Sequence, residues 1–517
     1  MNSENSFPPL GMTSEEFRRR GKELIDYIAD YYDNINQLKP LSQVEPNYLR
    51  ELLPENAPEE PDNFDAILKD IETKIVPGVT HWQSGNFYGY FPGNSSYPGI
   101  LGEMYSAMFN GIGFSWINGP AMTELETITL DWLGKLIGLD ASFLSFNADG
   151  SLSSGGGVIQ GTASEATIVA MLAARCKAIE NFKAENLEYT QDDLIHFSSK
   201  LIGYGTDQTH SSGEKASMII NCRFRGIQTA DNGSLTKDLL ENAIQEDREK
   251  GLIPFFIIGT FGTTAIGATD DFVGISEASQ AHNLWFHLDA AYAGAALICP
   301  EYRNLAPGMN LADSFVFNPH KWLLVNFDCS AIWFKNSYYV KIALSIHRDY
   351  YKNSATDSGL VRDYKDWQIP LGRRFRALKL FLVMRMYGAK GLRQHIRRSV
   401  GYTEWLETEL SKDDRFKILF PRTLSLLVFQ LSMDSIQALS KTNLDSEQLS
   451  AMHKQANLRF SQFIIESGEI FLTTASVKNS TAIRVAIGSP STDKSCMEKL
   501  LCTLKSSADL ALAEILK

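Results

Sequence analysis

The sequence predicts an α/β protein with a mostly parallel central sheet, preceded by a helical segment and followed by a smaller α/β domain. Three observations lead to this. Short β-branched or aromatic runs recur between about Gly99 and Arg374, at Ser217–Asn221, Phe255–Gly259, Trp285–Leu288, Ser314–Phe317 and Ala331–Phe334. Most are separated by helix-length or loop-length stretches, the pattern of parallel strands joined through covering helices. At 517 residues and 44% apolar composition, the chain is long enough to bury a large core and to divide into more than one domain.

In chain order, Met1 to Gly11 is polar and contains proline, with no basic stretch leading into an apolar core, so no secretory signal is expected. Residues Glu15 to about Ile35 read as an amphipathic helix. Thr13 is its N-cap, Glu16 holds the capping-box position, and Phe17, Leu24, Ile25, Ile28 and Tyr31 share one face. A proline- and acid-rich link, Pro40 to Pro61, follows. Such a unit has little core of its own and is expected to pack on a partner, such as a second copy of the chain. The last part opens at Ala377 with a long helical pattern and ends in mixed strand and helix signals, including Ala482–Ile487. The expected division is a helical dimerisation segment over 1–96, a large domain over 97–376 and a small domain over 377–517.

The net charge of −12 is spread without a block, which argues against nucleic acid or an anionic membrane as the main partner. The six cysteines show no metal-ligand spacing and read as free thiols in a reducing compartment. No uncharged apolar run is long enough to span a bilayer. A soluble, cytoplasmic protein without a bound metal is expected.

The chemistry concentrates at Asn318-Pro319-His320-Lys321-Trp322, downstream of His287-Leu288-Asp289-Ala290-Ala291-Tyr292. Most lysines are solvated surface charges, but Lys321 lies between His320 and Trp322 and runs into Leu323-Leu324-Val325. A lysine so placed can form a Schiff base with an aldehyde cofactor. Asp289 closes an apolar run, where a carboxylate is costly unless paired. A structural arginine or backbone donors are one candidate pairing; the protonated ring nitrogen of pyridoxal phosphate (PLP) is the other, and Lys321 downstream favours it. Ala291 keeps one face of such a site small enough for a flat ring. Gly155 to Glu165 is a glycine-rich loop leading into a helix signalled by Ile168, Val169, Met171 and Leu172. It lacks the Gly-Lys-Ser/Thr of a nucleotide loop. It supplies an anion site at a helix N-terminus, with Ala163 and Ser164 nearest the phosphate. His210, in Asp207–Ser212, is either a structural histidine or an imidazole stacked on the cofactor ring.

The blocks Tyr90-Phe91-Pro92, Gly113-Phe114-Ser115-Trp116, Asp207–Ser212, His287–Gly294, Phe317–Cys329 and Asp366–Phe375 resemble the group II PLP-dependent decarboxylases, in particular the aromatic L-amino-acid decarboxylases. The resemblance runs from about Thr13 into the C-terminal domain. It implies a fold type I, aspartate aminotransferase-like architecture and an intertwined homodimer with shared active sites. It also implies Lys321 as the Schiff-base lysine, Asp289 as partner of the ring nitrogen, and His210 as the stacking histidine. Ala163, Ser164 and Asn318 fall at phosphate-side contacts, and Thr264 near cofactor and substrate.

The implied reaction is decarboxylation followed by protonation of the carbon that loses CO2. The candidate proton donor is Tyr350, placed on the family's lid tyrosine by an ungapped count from Asp328, within a polar stretch from about Ser345 to Gly359 that reads as a lid. Relatives commonly carry proline two residues before this tyrosine; this chain has Arg348. Relatives with phenylalanine at the tyrosine, or asparagine at the histidine, behave as aldehyde synthases. Because the chain keeps both Tyr350 and His210, amine formation is expected ahead of oxidative aldehyde synthesis. A catalytically silent dimer is disfavoured by intact Lys321, Asp289 and His210.

By family position, Trp82, Tyr90, Phe91, Pro92, Gly93, Ile112, Phe114, Phe327 and Gly372 form the side-chain pocket, with Ile112 and Phe114 supplied by the partner subunit. Gly372 stands where histidine- and tyrosine-selective relatives often carry serine, and Gly93 where animal relatives usually have threonine. Both enlarge the pocket. The expected substrate is tryptophan or a hydroxylated derivative first, then DOPA, phenylalanine and tyrosine.

Overall fold

The computed structural model describes residues 12–346, 356, 358–440, 444–477 and 480–515. Its centre is a seven-stranded sheet. The strands are β1 (Gly156–Gln160), β2 (Leu201–Thr206), β3 (Arg223–Ile227), β4 (Ile253–Thr260), β5 (Trp285–Asp289), β6 (Ser314–Phe317) and β7 (Ser330–Phe334), in the order β1-β7-β6-β5-β4-β2-β3. Five adjacent strands, from β6 to β3, run parallel; β7 is antiparallel to both of its neighbours. Strands β1, β2 and β5 to β7 are buried throughout, as a sheet covered on both faces requires. Alternating side chains enter two separate cores. Ile257, Leu288 and Phe315 pack toward Leu130 and Leu133, while Ile258, Trp285 and Val316 pack toward Val169 and Ala170.

A second sheet follows the long helix Ala377–Leu410, which kinks at Gly388 where φ is 60°. Strands β8 (Phe416–Ile418), β9 (Leu426–Leu431), β10 (Thr473–Val477) and β11 (Ser480–Ala486) are all antiparallel, ordered β10-β11-β9-β8. Helices Ser446–Ser467 and Lys494–Ile515 share a core with this sheet. Among the described residues, no helix is long and apolar enough to cross a membrane. The six cysteines are free.

The N-terminal helix, Ser14–Asn34, begins where expected, with the Thr13 hydroxyl accepting the Glu16 amide at 3.2 Å. Its apolar face divides. Phe17 and Leu24 stay exposed, at 68% and 52%. Tyr31 and Tyr32 turn inward, pairing with His81 Nδ1 and Ser95 Oγ at 2.8 Å each.

The strands of this sheet differ from those the sequence predicts at Ser217–Asn221, at the glycine-rich stretch and at β2 and β3. Ser217–Asn221 is not a strand: it closes the helix Ser212–Ile219, and Asn221 (φ 56°) turns the chain into β3. Met218 and Ile219, which suggest a buried strand by composition, are exposed. The glycine-rich stretch is only partly a loop, since Gly156–Gln160 pairs with β7. Strand β2 escaped notice because Gly203 and Gly205 dilute its apolar signal. Gly205 is needed because a Cβ there would lie 2.8 Å from the Phe224 ring.

Candidate active site

Ligands in open α/β sheets sit at the carboxyl ends of the strands, and the register gathers the candidate residues there. Thr260, the last residue of β4, pairs with Asp289, the last of β5. Asn318 follows β6 and accepts the Lys321 amide at 3.0 Å, so a single helical turn, Pro319–Trp322, aims Lys321 back over the sheet. The loop after this turn passes through Leu324 at φ 60°, an unfavourable conformation for a branched side chain. It is held there by Asn94, whose side chain accepts the Leu324 amide at 3.1 Å, and by Ser96, which donates to the Leu324 carbonyl at 2.7 Å.

A cleft of about 200 Å³ brings together all eight residues expected at the cofactor: Ala163, Ser164, His210, Thr264, Asp289, Ala291, Asn318 and Lys321. Ala163 and Ser164 open the helix Ala163–Glu185, and the first amides of a helix lack partners within it. Thr162 caps this helix by accepting the Glu165 amide at 3.3 Å. The Asn318 side-chain oxygen accepts from Ser330 at 2.6 Å, which leaves its NH2 group as the available donor. Asp289 is 6% exposed and accepts the Ala291 amide at 2.8 Å.

Burial lowers the Lys321 ammonium to about 8, with Asp289 opposing the shift and Arg484 adding to it. His210 borders the open cleft, yet desolvation by the surrounding protein still pushes its imidazole below the ordinary value, against the pull of Asp289. Its Nδ1 accepts the Ser212 amide at 3.1 Å, so the neutral ring carries its proton on Nε2. His320 is buried, accepts the Cys329 amide through Nδ1 at 2.9 Å, and falls to about 3, through burial first and then the charges of Lys321 and Lys379.

The cleft opens into a cavity of about 780 Å³, the two sharing Phe91, His210, Thr264, His320 and Lys321. Of the expected side-chain pocket, Trp82, Tyr90, Phe91, Pro92, Gly93 and Phe327 line this cavity. Trp82 stacks on Tyr90 with centroids 5.4 Å apart, and a Cβ at Gly93 would press on the Trp82 ring at 3.3 Å. Ile112, Phe114 and Gly372 do not line it. They sit together elsewhere: a Cβ at Gly372 would meet Ile112 at 3.1 Å, and the Gly113 amide donates to the Arg373 carbonyl at 3.3 Å. Tyr350 lies outside the described residues.

Several residues in or behind the cavity wall are not singled out by the sequence. Tyr31 and Tyr32 line the cavity, although their helix reads simply as amphipathic. Arg484, on β11, donates to the Thr264 carbonyl at 2.6 Å and to the Tyr90 carbonyl, and lies 4.3 Å from the Phe91 centroid. Its signal was present as a lone charge inside the apolar run Ala482–Ile487.

These residues fit PLP. The donors at Ser164 and Asn318 suit a phosphate, the buried Asp289 carboxylate suits a protonated ring nitrogen, and Lys321 offers an amine of lowered basicity. Comparison with known proteins agrees. The sequence pattern described as the pyridoxal-dependent decarboxylase conserved domain matches residues 46–432. Mouse aromatic-L-amino-acid decarboxylase is 48% identical over 81% of this chain and 86% of its own length. Arabidopsis thaliana phenylacetaldehyde synthase is 42% identical over 93% of this chain and 94% of its own. The crystal structure of Oryza sativa TDC with PLP and tryptamine superposes with a TM-score of 0.90 at 32% identity, covering 98% of this chain and 99% of the other.

Proposed function

The chain belongs to the pyridoxal-dependent decarboxylase family, and from that premise we propose that it converts an aromatic L-amino acid to the corresponding amine and CO2. Tryptophan or a hydroxylated tryptophan ranks first among its substrates, followed by DOPA, phenylalanine and tyrosine. The observation that carries this reading is the continuity of the Lys321–Asp289–His210 cleft with a cavity walled by Trp82, Tyr90 and Phe91. PLP, when bound, supplies the electron sink for the pair left behind by CO2.

The protein's own part is binding, orientation and charge. Asp289 places its carboxylate at the end of β5, where it would serve the ring nitrogen. Lys321, at about 8, is neutral often enough near physiological pH to act as a nucleophile and then to accept or return a proton. His210 presents Nε2–H to the reacting region as a fixed, uncharged donor. Ala163, Ser164 and Asn318 anchor the phosphate. Tyr350 is assigned the delivery of a proton to the carbon that loses CO2.

The same reading makes the protein a homodimer with shared sites. Ile112 is 63% exposed, lies apart from its own chain's cavity and sits beside Gly372. Exposed Phe17 and Leu24 offer a further apolar surface for a second copy. The free thiols suit a reducing compartment such as the cytoplasm.

A second reading, oxidative synthesis of an aromatic aldehyde, is favoured by the likeness to phenylacetaldehyde synthase and opposed by the retention of Tyr350 and His210. One experiment addresses both. Purified holoenzyme is incubated with tryptophan, 5-hydroxytryptophan, DOPA, phenylalanine, tyrosine, histidine and glutamate, and amine, aldehyde, peroxide and ammonia are measured together. Amine without stoichiometric peroxide supports decarboxylation. Faster turnover of glutamate or histidine than of every aromatic acid refutes the proposal.

A further inference from the structure

Two polar side chains of the cavity wall, Asn94 and Gln83, make their hydrogen bonds within the wall. Asn94 accepts the Leu324 amide and donates to the Gly488 carbonyl at 2.9 Å. Gln83 accepts the Ser95 amide at 2.9 Å and donates to the Gly93 carbonyl. Tyr32, Ser95 and Asn326 differ. All three line the cavity, and none lines the cofactor cleft. The Tyr32 hydroxyl lies 2.8 Å from the Ser95 oxygen, and the Asn326 NH2 group donates to that same oxygen at 2.9 Å. The orientation of the Asn326 amide is fixed from its other side, where its carbonyl oxygen accepts the Ser96 amide at 3.3 Å.

The hydrogens of this cluster outnumber its acceptors. Tyr32 and Ser95 carry one hydroxyl hydrogen each, and their mutual bond uses one, whichever way it runs. Neither hydroxyl has a further acceptor among the described residues, and an amide nitrogen cannot accept. One hydroxyl hydrogen is therefore left over. With Tyr32 donating, both lone pairs of the Ser95 oxygen are filled, and the spare hydrogen is its own. Ser95 is 9% exposed, so little solvent reaches it. Water can accept this hydrogen while the cavity is open. A ring that fills the cavity displaces that water, and then only an acceptor on the ring replaces it. Phenyl has none. The indole nitrogen is a donor only. A ring hydroxyl brings two lone pairs.

We propose that the Tyr32–Ser95 hydroxyl pair is a specificity subsite for oxygen on the substrate's ring, donating its spare hydrogen to a ring hydroxyl. The pair separates hydroxytryptophan from tryptophan, and tyrosine and DOPA from phenylalanine. Leaving a donor unpaired under a bound ring is what disfavours the substrate that lacks the oxygen. The subsite joins three stretches of chain: the N-terminal helix through Tyr32, the segment after Gly93 through Ser95, and the loop after Lys321 through Asn326. The inference rests on the reading that this cavity takes the substrate's side chain.

The test measures binding of unreactive probes to the holoenzyme by calorimetry. The pairs are 3-(4-hydroxyphenyl)propionate against 3-phenylpropionate, and 5-hydroxyindole-3-propionate against indole-3-propionate. A fifth probe, 3-(4-methylphenyl)propionate, copies the shape of the phenol without a lone pair. In the parent each hydroxylated probe should bind about tenfold tighter than its partner, the scale of one neutral hydrogen bond. The methyl probe should not share that gain. Tyr32→Phe/Ser95→Ala should bring both ratios to about one by weakening the hydroxylated probes, with 3-phenylpropionate held within about threefold. The kcat/KM ratio of tyrosine to phenylalanine should fall in parallel, mostly through KM. Parental ratios near one, or ratios that persist in the double variant, overturn the inference. If the double variant does not retain PLP, the parent decides: a methyl probe that binds as tightly as the phenol overturns it as well. Failure of the parent to bind any of the five sinks the side-chain reading of the cavity, and this inference with it. Equal binding of all five sinks this inference alone.

Discussion

The backbone N–H of Ser212 points at Nδ1 of His210 from 3.1 Å, and the Ser212 hydroxyl lies 3.0 Å from the same atom. An amide nitrogen can only donate, so this contact assigns the tautomer: the neutral ring carries hydrogen on Nε2, on the side opposite the backbone. Two substitutions separate the ring from its proton. His210→Phe keeps a flat face for stacking but has no N–H. It should retain PLP in equilibrium dialysis while kcat for amine formation falls by about 10²-fold, the lower range for a positioned proton donor. His210→Asn loses the ring as well, so PLP affinity should fall and product should shift toward aldehyde and peroxide. Parental kcat in His210→Phe would show that Nε2–H takes no part.

Lys321 should announce its depressed basicity in the cofactor-free protein. Burial holds the ammonium at about 8, and only the free amine attacks an aldehyde. Below that value the amine fraction drops about tenfold per pH unit. The rate at which PLP becomes covalently attached should therefore rise from acid pH and level off above about 8. An exposed lysine would keep climbing toward 10. Lys321→Ala should show no attachment, no yellow band sensitive to borohydride, and amine formation reduced by about 10³-fold or more, as when a group acting within a unit is removed. A rate still rising steeply above pH 9 would contradict the enclosure seen around Nζ.

Asp289 offers a sharper comparison, because asparagine matches its shape. Asp289→Asn can still accept the Ala291 amide through its carbonyl oxygen, so the local turn should survive. What disappears is the negative charge. The expected result is a folded, PLP-binding protein whose kcat is lower by about 10²-fold, the cost typical of losing a preorganised electrostatic contact. Asp289→Ala should lose affinity for PLP too. Equal kcat in parent and Asn variant would mean that the charge is not used.

The contrast between what the sequence disclosed and what it concealed has physical causes. Asp289, Asn318 and Lys321 were legible because each breaks an apolar run, and a polar group in that setting needs a reason. The parallel strands β4 to β6 were legible for the complementary reason, being continuous apolar stretches. Strand β2 was hidden by Gly203 and Gly205, and at Gly205 the missing side chain makes room for Phe224 from a neighbouring strand. No local pattern encodes such a tertiary requirement. Met218 and Ile219 misled for the opposite reason: they are apolar yet exposed, and a left-handed Asn221 rather than propensity decides where the helix ends. Arg484 becomes meaningful only when β11 is brought against Thr264 and Tyr90, which are 220 and 394 positions away in sequence.

Tyr350 is assigned by sequence position, so its prediction stands apart from the geometry. Tyr350→Phe removes one hydroxyl and nothing else. If that hydroxyl protonates the carbon left by CO2, amine output should fall by about 10²-fold, while aldehyde, ammonia and peroxide rise together. The measurement is the amine-to-aldehyde ratio from one substrate under air and under nitrogen. An unchanged ratio under air removes Tyr350 from the mechanism.

The placement of Ile112 calls for a test across subunits. Ile112 lies beside Gly372, is largely exposed and contributes nothing to its own chain's cavity. If it completes the site of a partner subunit, two inactive proteins should repair one another. Lys321→Ala lacks the reactive amine but keeps a sound Ile112, whereas Ile112→Asp keeps the amine but spoils the pocket it lends. In a mixed dimer, one site combines the intact Lys321 of one subunit with the intact Ile112 of the other, and the second site carries both defects. Random reassociation of equal amounts makes about half of the dimers mixed, so activity should return to about a quarter of the parental value. Had both residues served the same chain's site, every site in the mixture would carry one defect and mixing would restore nothing. The recovered fraction, about a quarter in the unfractionated mixture and about half in the doubly tagged dimer isolated after co-expression with distinct affinity tags, therefore reports directly whether the pocket is shared.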